Sequence, residues 1–357
     1  MIHYYILPHT LKFLRPARTS RGVYTDRKVW YVILSSQPIA EENLQNLLYN
    51  TNCWGGNKIG IGEIAPLYDL SCEYDANFEE KIKESCAKCI SPEGINIECI
   101  REYPSICFGL ETAWLSFRSQ DGITLFDTSF SQGIQPLRIN GLIWMGNIDF
   151  MRQQMTDKIN AGFKCIKLKI GAQDFNKEYN LLQEIRKQAS KDDIEIRVDA
   201  NGAYDETQAM FVLNELHKIG IHSIEQPIKQ GQALCMSELC KESPVSIALD
   251  EELIGINLPA EKMNLLKQIQ PQFIVIKPTL HGGISGSLEW IQIARKLGIK
   301  YWLTSALESN VGLNAIAQLT ATFNDTERWQ GLGTGALFEE NIYIPKLELR
   351  GECLWFQ

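Results

Sequence analysis

Short apolar segments alternate with longer amphipathic ones from about residue 140 to residue 333, and this alternation constrains the fold more than any other feature. The amphipathic segments, such as FNKEYNLLQEIRKQ and SGSLEWIQIARKLG, have the helical period. Strands that alternate with helices form parallel sheets, and eight such units close into a barrel of about 200 residues. The eight candidate strands are GLIWMG (141–146), CIKLKI (165–170), IEIRVD (194–199), HSIEQ (222–226), SIALD (246–250), FIVIKP (273–278), YWLTS (301–305) and WQGLG (329–333). An open doubly wound sheet is the alternative, but no GxGxxG follows the first strand.

The first 130 residues differ in character from the barrel region. Aromatic strand-like segments, IHYYIL (2–7) and RKVWYVIL (27–34), occur there with the helix-like EENLQNLL (41–48). We predict an α+β module over residues 1–130 and a barrel over 131–339, with the main linker near residues 128–140. A tail from about residue 340 to 357 is expected to pack back on the module. The fold class is therefore α/β, a (β/α)8-type barrel preceded by an α+β domain.

Composition argues against several classes of partner. The net charge is -8, and no block of lysine and arginine occurs, so nucleic acid and anionic membrane are poor partners. No secretion signal and no apolar run long enough for a membrane span are recognisable. The 10 cysteines are scattered through a sequence of ordinary core composition. Reduced thiols in the cytoplasm are the expectation.

Ionisable residues lie at the ends of five consecutive candidate strands. In a parallel barrel these ends meet at the mouth, where active sites form. Their spacing is about one βα unit, and their phase places the apolar neighbours toward the helices and the charges toward the barrel interior. A helix cap or a solvated face explains any one of them, but not the whole set. The residues are Lys167, Lys169, Asp199, Glu225, Asp250 and Lys277.

Three carboxylates that converge in a barrel mouth require a cation between them. Hard oxygen ligands favour Mg²⁺, and Mn²⁺ can substitute for it. Neither His222 nor His281 falls at a strand end beside these acids, so both are interpreted as structural or loop residues. Lys167 and Lys169 share one face of their strand, and the neighbouring positive charges make Lys169 a usable base. Such a site suits removal of a proton α to a carboxylate, with Lys277 facing Lys169 across the barrel.

These motifs resemble the enolase superfamily over essentially the whole chain. The resemblance rests on KLK (167–169), VDAN (198–201), IEQP (224–227), ALDE (248–251) and IKP (276–278). Their order is similar to that of the muconate-lactonizing enzyme subgroup. The resemblance implies a modified TIM barrel with metal ligands Asp199, Glu225 and Asp250. It also implies that the N-terminal module caps the barrel and that its loops at residues 15–22 and 62–67 close over the substrate.

Within the subgroup the sequence is most similar to the o-succinylbenzoate synthases of menaquinone synthesis. The stretches INGLIWMGN (139–147), TSALESNVGL (304–313) and GLGTGALF (331–338) carry that likeness. The implied reaction is syn elimination of water from 2-succinyl-6-hydroxy-2,4-cyclohexadiene-1-carboxylate. Lys169 would act as base and then as acid, Lys277 would stabilise the enolate, and Lys167 would tune Lys169 and touch the carboxylate.

Other residues are candidates for binding and orientation. Ser305, Ser309 and Asn310 lie between the seventh strand and the next helix, where free N–H groups can bind the succinyl carboxylate. Helix capping explains Ser309 or Asn310 equally well. Asn201 is a candidate contact near the substrate, and Glu251 a residue behind the metal ligands. Both are expected to orient the base and the metal.

Two other functions use the same parts. A racemase or epimerase of N-acylamino acids or dipeptides would employ Lys169 and Lys277 as opposed bases. Dipeptide epimerases that resemble this fold usually carry a DxD pair after strand 8, where this chain has GLGTG. A barrel that has lost catalysis and only binds a metal is the other alternative. Loss of activity would be expected to leave at least one of the lysines or acids replaced, and all of them are present.

Overall fold

A computed structural model describes residues 2–19, 22–323, 329–333, 337–342, 345 and 347–357. Residues 20–21 of the predicted loop at 15–22 lie outside the described residues, and so do residues 334–336 of the stretch GLGTGALF. In the described part, no helix is long and apolar enough to cross a membrane.

The N-terminal module is an antiparallel sheet covered by helices. The strands, in order, are β1 (His3–Thr19), β2 (Gly22–Ser35) and β3 (Ile59–Ile64), and the helices are α1 (Leu44–Tyr49), α2 (Phe78–Cys89) and α3 (Pro104–Arg118). A short hairpin of β4 (Ile90–Ser91) and β5 (Gly94–Ile95) separates α2 from α3. Helix α3 packs closely on β3, since a Cβ on Gly62 would lie 1.9 Å from the Gly109 carbonyl oxygen.

The second half of strand β2, from Val29 to Ser35, is buried on both faces, which explains its nearly continuous apolar sequence. Trp30, Val32 and Leu34 pack with α2 and α3 on one face. Tyr31 and Ile33 belong, on the other face, to a cluster that includes Leu280, Ala306 and Val311 of the barrel region. Successive side chains of a strand point to opposite faces, so a strand between two layers needs apolar residues at every position. The module is thereby packed against the barrel.

The barrel follows a short strand, β6 (Leu137–Arg138). Seven parallel strands form one sheet in chain order, and a helix follows each of them. Side chains of Asn147, Asp174, Asp205 and Ser309 cap four of these helices by accepting hydrogen bonds from backbone N–H groups. The strands are β7 (Gly141–Ile143), β8 (Cys165–Lys169), β9 (Glu195–Asp199), β10 (Ser223–Glu225), β11 (Ser246–Leu249), β12 (Phe273–Ile276) and β13 (Lys300–Leu303). The helices are α4 (Ile148–Asn160), α5 (Phe175–Gln188), α6 (Glu206–Lys218), α7 (Ala233–Glu242), α8 (Pro259–Ile269), α9 (Gly283–Leu297) and α10 (Asn310–Ala321).

The predicted eighth strand is reduced to two bridging residues. The Gln330 backbone bonds to Arg138 and Asn140 on one side, and the Gly331 backbone bonds to Leu303 and Ser305 on the other. These isolated parallel bridges join both edges of the seven-stranded sheet. Glycine is required here, because a Cβ on Gly331 would lie 1.8 Å from Thr304 Oγ1. The closed barrel therefore depends on a close approach that a longer side chain would prevent.

The C-terminal segment contacts both parts of the molecule. Phe338 bridges to Phe13 of β1, and Ile342 belongs to the core of the N-terminal module. The hairpin of β14 (Leu347–Arg350) and β15 (Cys353–Phe356) pairs with β6 instead, and Leu354 packs into the barrel core. Phe338 and Ile342 thus lie against the N-terminal module, while the last hairpin, which makes up most of the tail, lies against the barrel.

Candidate active site

The register of the barrel sheet brings the predicted site residues to one end of the barrel, where the strands finish. Lys169 pairs with Asp199 across β8 and β9, and Asp199 pairs with Glu225 across β9 and β10. Asp250 and Lys277 directly follow β11 and β12. The carboxyl ends of parallel strands meet at the same edge, so one residue from each strand reaches the barrel mouth. The structure brings together all of the lysines and acids expected from their spacing.

Ammonium groups link the carboxylates of this edge. Lys167 Nζ lies 2.6 Å from Glu225 Oε2 and 3.0 Å from Asp199 Oδ2. Lys169 Nζ lies 3.1 Å from Asp199 Oδ2, and Lys277 Nζ donates to Asp250 Oδ2. The acids are almost completely buried, with Asp250 at 0% and Asp199 at 1% exposure. Such buried charges persist only when they are paired and hydrogen-bonded.

Asn201 connects the base to an acid in the next layer. Lys169 Nζ donates to Asn201 Oδ1 at 2.6 Å, and Asn201 Nδ2 donates to Glu251 Oε1 at 3.0 Å. The Asn201 backbone has φ 45°, a left-handed conformation that asparagine tolerates better than most residues. This turn directs the amide back toward Lys169. Asn201 therefore links the Lys169 amine to Glu251.

Gln226 is an orienting residue that sequence reasoning missed. It is fully buried with φ 42°, and its Oε1 accepts hydrogen bonds from the N–H groups of Asp250 and Glu252, both at 3.2 Å. It thereby holds the backbone that carries Asp250. The available signal was a glutamine directly after a strand-end glutamate in IEQP, but only the structure reveals the positive φ.

The charge balance leaves two of the carboxylates poorly compensated. Burial raises the pKa of Glu225 and of Asp250, and the nearby ammonium groups only partly oppose that effect. At Asp199 burial also acts upward, but Lys167, Lys169 and Lys277 outweigh it and hold the pKa below its ordinary value. Burial lowers the pKa of Lys277, but the negative charges of Asp250 and Glu225 raise it by more. The net pKa lies above its ordinary value, so Lys277 is held protonated.

The donor set suits a divalent cation. Glu225 Oε1, Asp250 Oδ1 and Glu251 Oε2 are buried without a hydrogen-bond partner among the described residues. Unpaired buried carboxylate oxygens are costly, and hard oxygen donors are the ligands of Mg²⁺. The described residues do not surround one point with three acidic, histidine or cysteine groups, and Lys167 Nζ lies between Asp199 and Glu225. The chemistry of the unpartnered oxygens nevertheless fits the ion.

A cavity opens above these charges and is lined by both parts of the chain. The lysines and Asn201 form its polar side, with Thr304 and Ser305 beside them. The N-terminal module contributes Tyr24, Leu67 and Leu70. Leu67 ends the predicted loop at 62–67, whereas nothing in the sequence singled out Tyr24. The remaining apolar wall consists of Leu142, Trp144, Leu280 and Leu307.

Ser309 and Asn310 do not line this cavity. Ser309 caps α10, and both its backbone N–H and its hydroxyl donate to Glu63 of β3, at 2.8 and 2.6 Å. Asn310 Nδ2 donates to the carbonyls of Ile342 and Pro345. Of the three candidates for the succinyl carboxylate, only Ser305 reaches the cavity wall.

The two histidines lie apart from the polar centre of the cavity. His281 is buried, and its Nδ1 accepts the backbone N–H of Lys277 at 2.9 Å. Burial lowers the pKa of His281, and the positive charge of Lys277 lowers it further, so the ring is neutral. His222 lies beside Ser223 and Glu195 at the opposite end of the barrel.

Comparisons with known proteins agree with this architecture. The family model described as Enolase C-terminal domain-like matches residues 151–355. An o-succinylbenzoate synthase from Desulfotalea psychrophila is 39% identical over 344 residues, 93% of each chain. The crystal structure of MenC from that organism superposes with a TM-score of 0.80 at 34% identity, covering 99% of both chains. A dipeptide epimerase from Enterococcus faecalis shares the fold, with a TM-score of 0.81 at 20% identity over 99% of this chain and 96% of that one.

The L-Ala-D/L-Glu epimerase from Bacillus subtilis matches less of the sequence, at 25% identity over 48% of this chain and 46% of that protein. The family model covers more than half of the chain and includes every lysine and acid of the site. Together with the parallel barrel, its covering module and the charges at its strand ends, these matches establish that the chain belongs to the enolase superfamily.

Proposed function

We propose that the chain is an o-succinylbenzoate synthase, which removes water from 2-succinyl-6-hydroxy-2,4-cyclohexadiene-1-carboxylate in menaquinone synthesis. The observation that carries this proposal is the placement of Lys169 and Lys277 in one cavity beside three buried carboxylates. The relative from Desulfotalea psychrophila bears this activity as its name and matches 93% of the chain. The substrate is a small dicarboxylate, and a cavity with ammonium groups below an apolar wall suits such a molecule.

Lys169 acts as base and then as acid. The neutral amine takes the proton from the carbon that bears the ring carboxylate, and the electron pair delocalises into that carboxylate. The C–O bond to the 6-hydroxyl then breaks, and the Lys169 ammonium returns its proton to the departing oxygen as water. One group on one face can serve both steps only in a syn elimination. Asn201, 2.6 Å from Lys169 Nζ, fixes the direction of the amine.

Lys277 and Lys167 remain cationic during this cycle. Asp250 holds Lys277 protonated, so its ammonium offers a fixed positive charge to the electron density that develops on the substrate. Lys167 is buried between Asp199 and Glu225, which raise its pKa against the effect of burial. It contributes a second positive charge next to Lys169. Neither group has to move, which lowers the cost of reorganisation.

Asp199, Glu225 and Asp250 would hold the metal ion, Mg²⁺ or Mn²⁺. When bound, it supplies a Lewis acid that stabilises negative charge on the substrate carboxylate. Glu251 contacts Asn201 and keeps one oxygen unpartnered among the described residues. Through Asn201, Glu251 orients the Lys169 amine. Leu67, Leu142 and Trp144 line the cavity and exclude water from the apolar part of the substrate, and we expect Ser305, on the same cavity wall, to touch its succinyl arm.

Racemisation of an N-acylamino acid is the second candidate, because a dipeptide epimerase shares the fold and this chain has two lysines that face each other in the cavity. Racemisation in both directions requires Lys277 to give up its proton and then take one from the substrate. The Asp250 carboxylate opposes that loss. Elimination needs no base other than Lys169, so the geometry favours the dehydratase.

The test is to follow the aromatic product by absorbance after adding purified protein and Mg²⁺ to the cyclohexadiene substrate. We expect aromatisation that excess chelator stops and that added Mg²⁺ restores. No aromatisation by folded, metal-loaded protein would reject the dehydratase. Deuterium exchange at the α-carbon of N-acylamino acids in D₂O, without aromatisation, would support the racemase instead.

A further inference from the structure

Arg27 is a buried arginine that bridges the two parts of the chain. It lies on β2 and is only 4% exposed. One guanidinium nitrogen donates to the carbonyl of Ala65 in the N-terminal module, and the other terminal nitrogen donates to the carbonyl of Ala306 in the barrel. A planar guanidinium can hold two acceptors in fixed directions, which a lysine cannot do.

Both acceptor carbonyls belong to segments that form the cavity wall. Ala65 lies two residues before Leu67, which lines the cavity from the side of the module. Ala306 itself lines the cavity from the side of the barrel, together with Ser305 and Leu307. Arg27 thus sets the distance between two walls that have no covalent connection nearby.

The barrel segment adopts a conformation that its own sequence does not favour. Leu307 has φ 65°, and a bulky residue with positive φ is strained by about 1 kcal/mol or more. Glu308 Oε2 accepts the backbone N–H of Ala306 at 2.7 Å, and Glu63 holds the N–H of Ser309 at 2.8 Å. Outside contacts impose this conformation, and Arg27 supplies one of them.

The charge of Arg27 is compensated locally and away from the reacting groups. Burial lowers the pKa of Arg27, and the negative charges of Glu308 and Glu63 oppose that lowering. Its hydrogen bonds end at the carbonyls of Ala65 and Ala306 and reach neither Lys169 nor Lys277. A change at Arg27 therefore alters the shape of the cavity and leaves the proton-transfer groups in place.

We propose that Arg27 is a positioning residue that fixes the segment 305–307 against the N-terminal module and so determines affinity for the succinyl arm of the substrate. The inference rests on the proposed function for the identity of the substrate. Its structural part, that Arg27 imposes the conformation of this segment, stands independently. The effect is on substrate binding and not on the chemical step, because both catalytic lysines keep their partners.

The experiment compares Arg27→Met and Arg27→Lys with Arg101→Met. Arg101 also links the module to the barrel, with Nη2 2.8 Å from Glu289 Oε1, but it does not line or brace the cavity. We expect Arg27→Met to raise KM about tenfold, since two hydrogen bonds from a charged donor are lost, and to change kcat by less than about twofold. Arg27→Lys should raise KM less. Arg101→Met should lower the melting temperature without changing KM.

Amide hydrogen exchange provides a second measurement that needs no turnover. We expect the amides of residues 305–309 to exchange faster in Arg27→Met and Arg27→Lys than in the wild type, and to be unchanged in Arg101→Met. An unchanged KM and unchanged exchange in a folded Arg27 variant would overturn the inference, as would an equal rise of KM in Arg101→Met. If Arg27→Met does not fold, Arg27→Lys decides.

These readouts also separate the two proposals. Wild-type protein that does not turn over the cyclohexadiene would reject the proposed function, while the exchange rates would still test the role of Arg27. Wild-type turnover with no KM change in the folded Arg27 variants would reject the positioning role alone.

Discussion

The two ends of the barrel use the same interior face of the sheet for opposite purposes. On β9, Arg197 and Asp199 are two residues apart and point the same way. Arg197 Nε lies 2.7 Å from Glu195 Oε1, and its guanidinium stacks 4.3 Å from the Trp302 ring centre. Asp199 instead receives the ammonium groups of Lys167 and Lys169. Two residues along one strand therefore separate an ion pair packed on an aromatic ring from the ion pairs of the candidate active site.

The difference lies in what surrounds the charges. At the lower end, where the barrel strands begin, Phe273 and Trp302 are in contact, with ring centres 5.3 Å apart. They fill the barrel together with Val275 and Ala248. At the upper end, the barrel mouth where the strands finish, carboxylate oxygens such as Glu225 Oε1 remain unpartnered within the described part of the chain, beside an open cavity. At the lower end Arg197 is satisfied by Glu195 and by the face of the Trp302 ring, which adds stability. The unpartnered upper oxygens would be satisfied by the metal ion and the substrate of the proposed function.

Removing the base should have the largest effect. We expect Lys169→Ala to lower kcat about 10³- to 10⁴-fold, because general acid–base catalysis is lost, while the melting temperature stays near that of the wild type. Lys164→Ala is the matched control, since Lys164 is exposed at the start of the same strand region. Steady-state rates and circular dichroism check both. Full activity in Lys169→Ala would show that the upper end does not act as proposed.

Removing the lower charge should cost stability and spare catalysis. Arg197→Met leaves Glu195 without its ion pair and removes the contact with Trp302. We expect the free energy of unfolding to fall by about 3 kcal/mol, near the lower bound for a broken buried pair because Glu195 is partly exposed. Urea denaturation measures this, and kcat of the folded fraction should be unchanged.

Arg152→Met serves as control for that variant. Its partner Glu184, 2.7 Å away, and Arg152 itself are half exposed, so the loss should stay below about 1 kcal/mol. A large loss of kcat in folded Arg197→Met would mean that the two ends are coupled, and the division between them would fail.

The sequence predicts the charged residues of the upper end but not the packed ion pair of the lower end. Strand-end acids and lysines repeat once per βα unit, and that spacing survives without knowledge of tertiary contacts. Arg197 carried no such signal, because its partner in the aromatic layer, Trp302, is far away in the sequence. Alternation in IEIRVD indicates the face of Arg197 but not whether rings or solvent meet it.

Polar residues at helix starts were ambiguous for the same reason. Ser309 could cap a helix or bind substrate, and the sequence treats the two alike. The decision depends on Glu63, 246 residues away, which accepts both donors of Ser309. The eighth strand was overestimated because its two pairing residues, Gln330 and Gly331, are enough to close the sheet.

Metal affinity should separate the two ends next. We expect Asp250→Asn to weaken Mn²⁺ binding at least about 100-fold, roughly 2.7 kcal/mol, which is more than the loss of an outer partner usually costs. Glu195→Gln removes the same charge from the lower end and should leave Mn²⁺ binding unchanged. Calorimetric titration of both variants measures the affinities. Equal weakening by both would place the ion elsewhere than among Asp199, Glu225 and Asp250.

The smallest effect should come from the exposed rim of the lower end. Lys300 Nζ lies 5.6 Å from the Phe273 ring centre, but its side chain is exposed to water. A cation–π contact at such a site contributes about 0.5 kcal/mol, so Lys300→Ala should shift the melting temperature by only about 1 °C and leave kcat unchanged. Differential scanning calorimetry checks this against Arg197→Met. If both variants lost similar stability, any positive charge near the rings would be enough to explain the stability contributed by the lower end. A clear difference assigns the stability to the buried stacking of Arg197 on Trp302, which an exposed ammonium cannot reproduce.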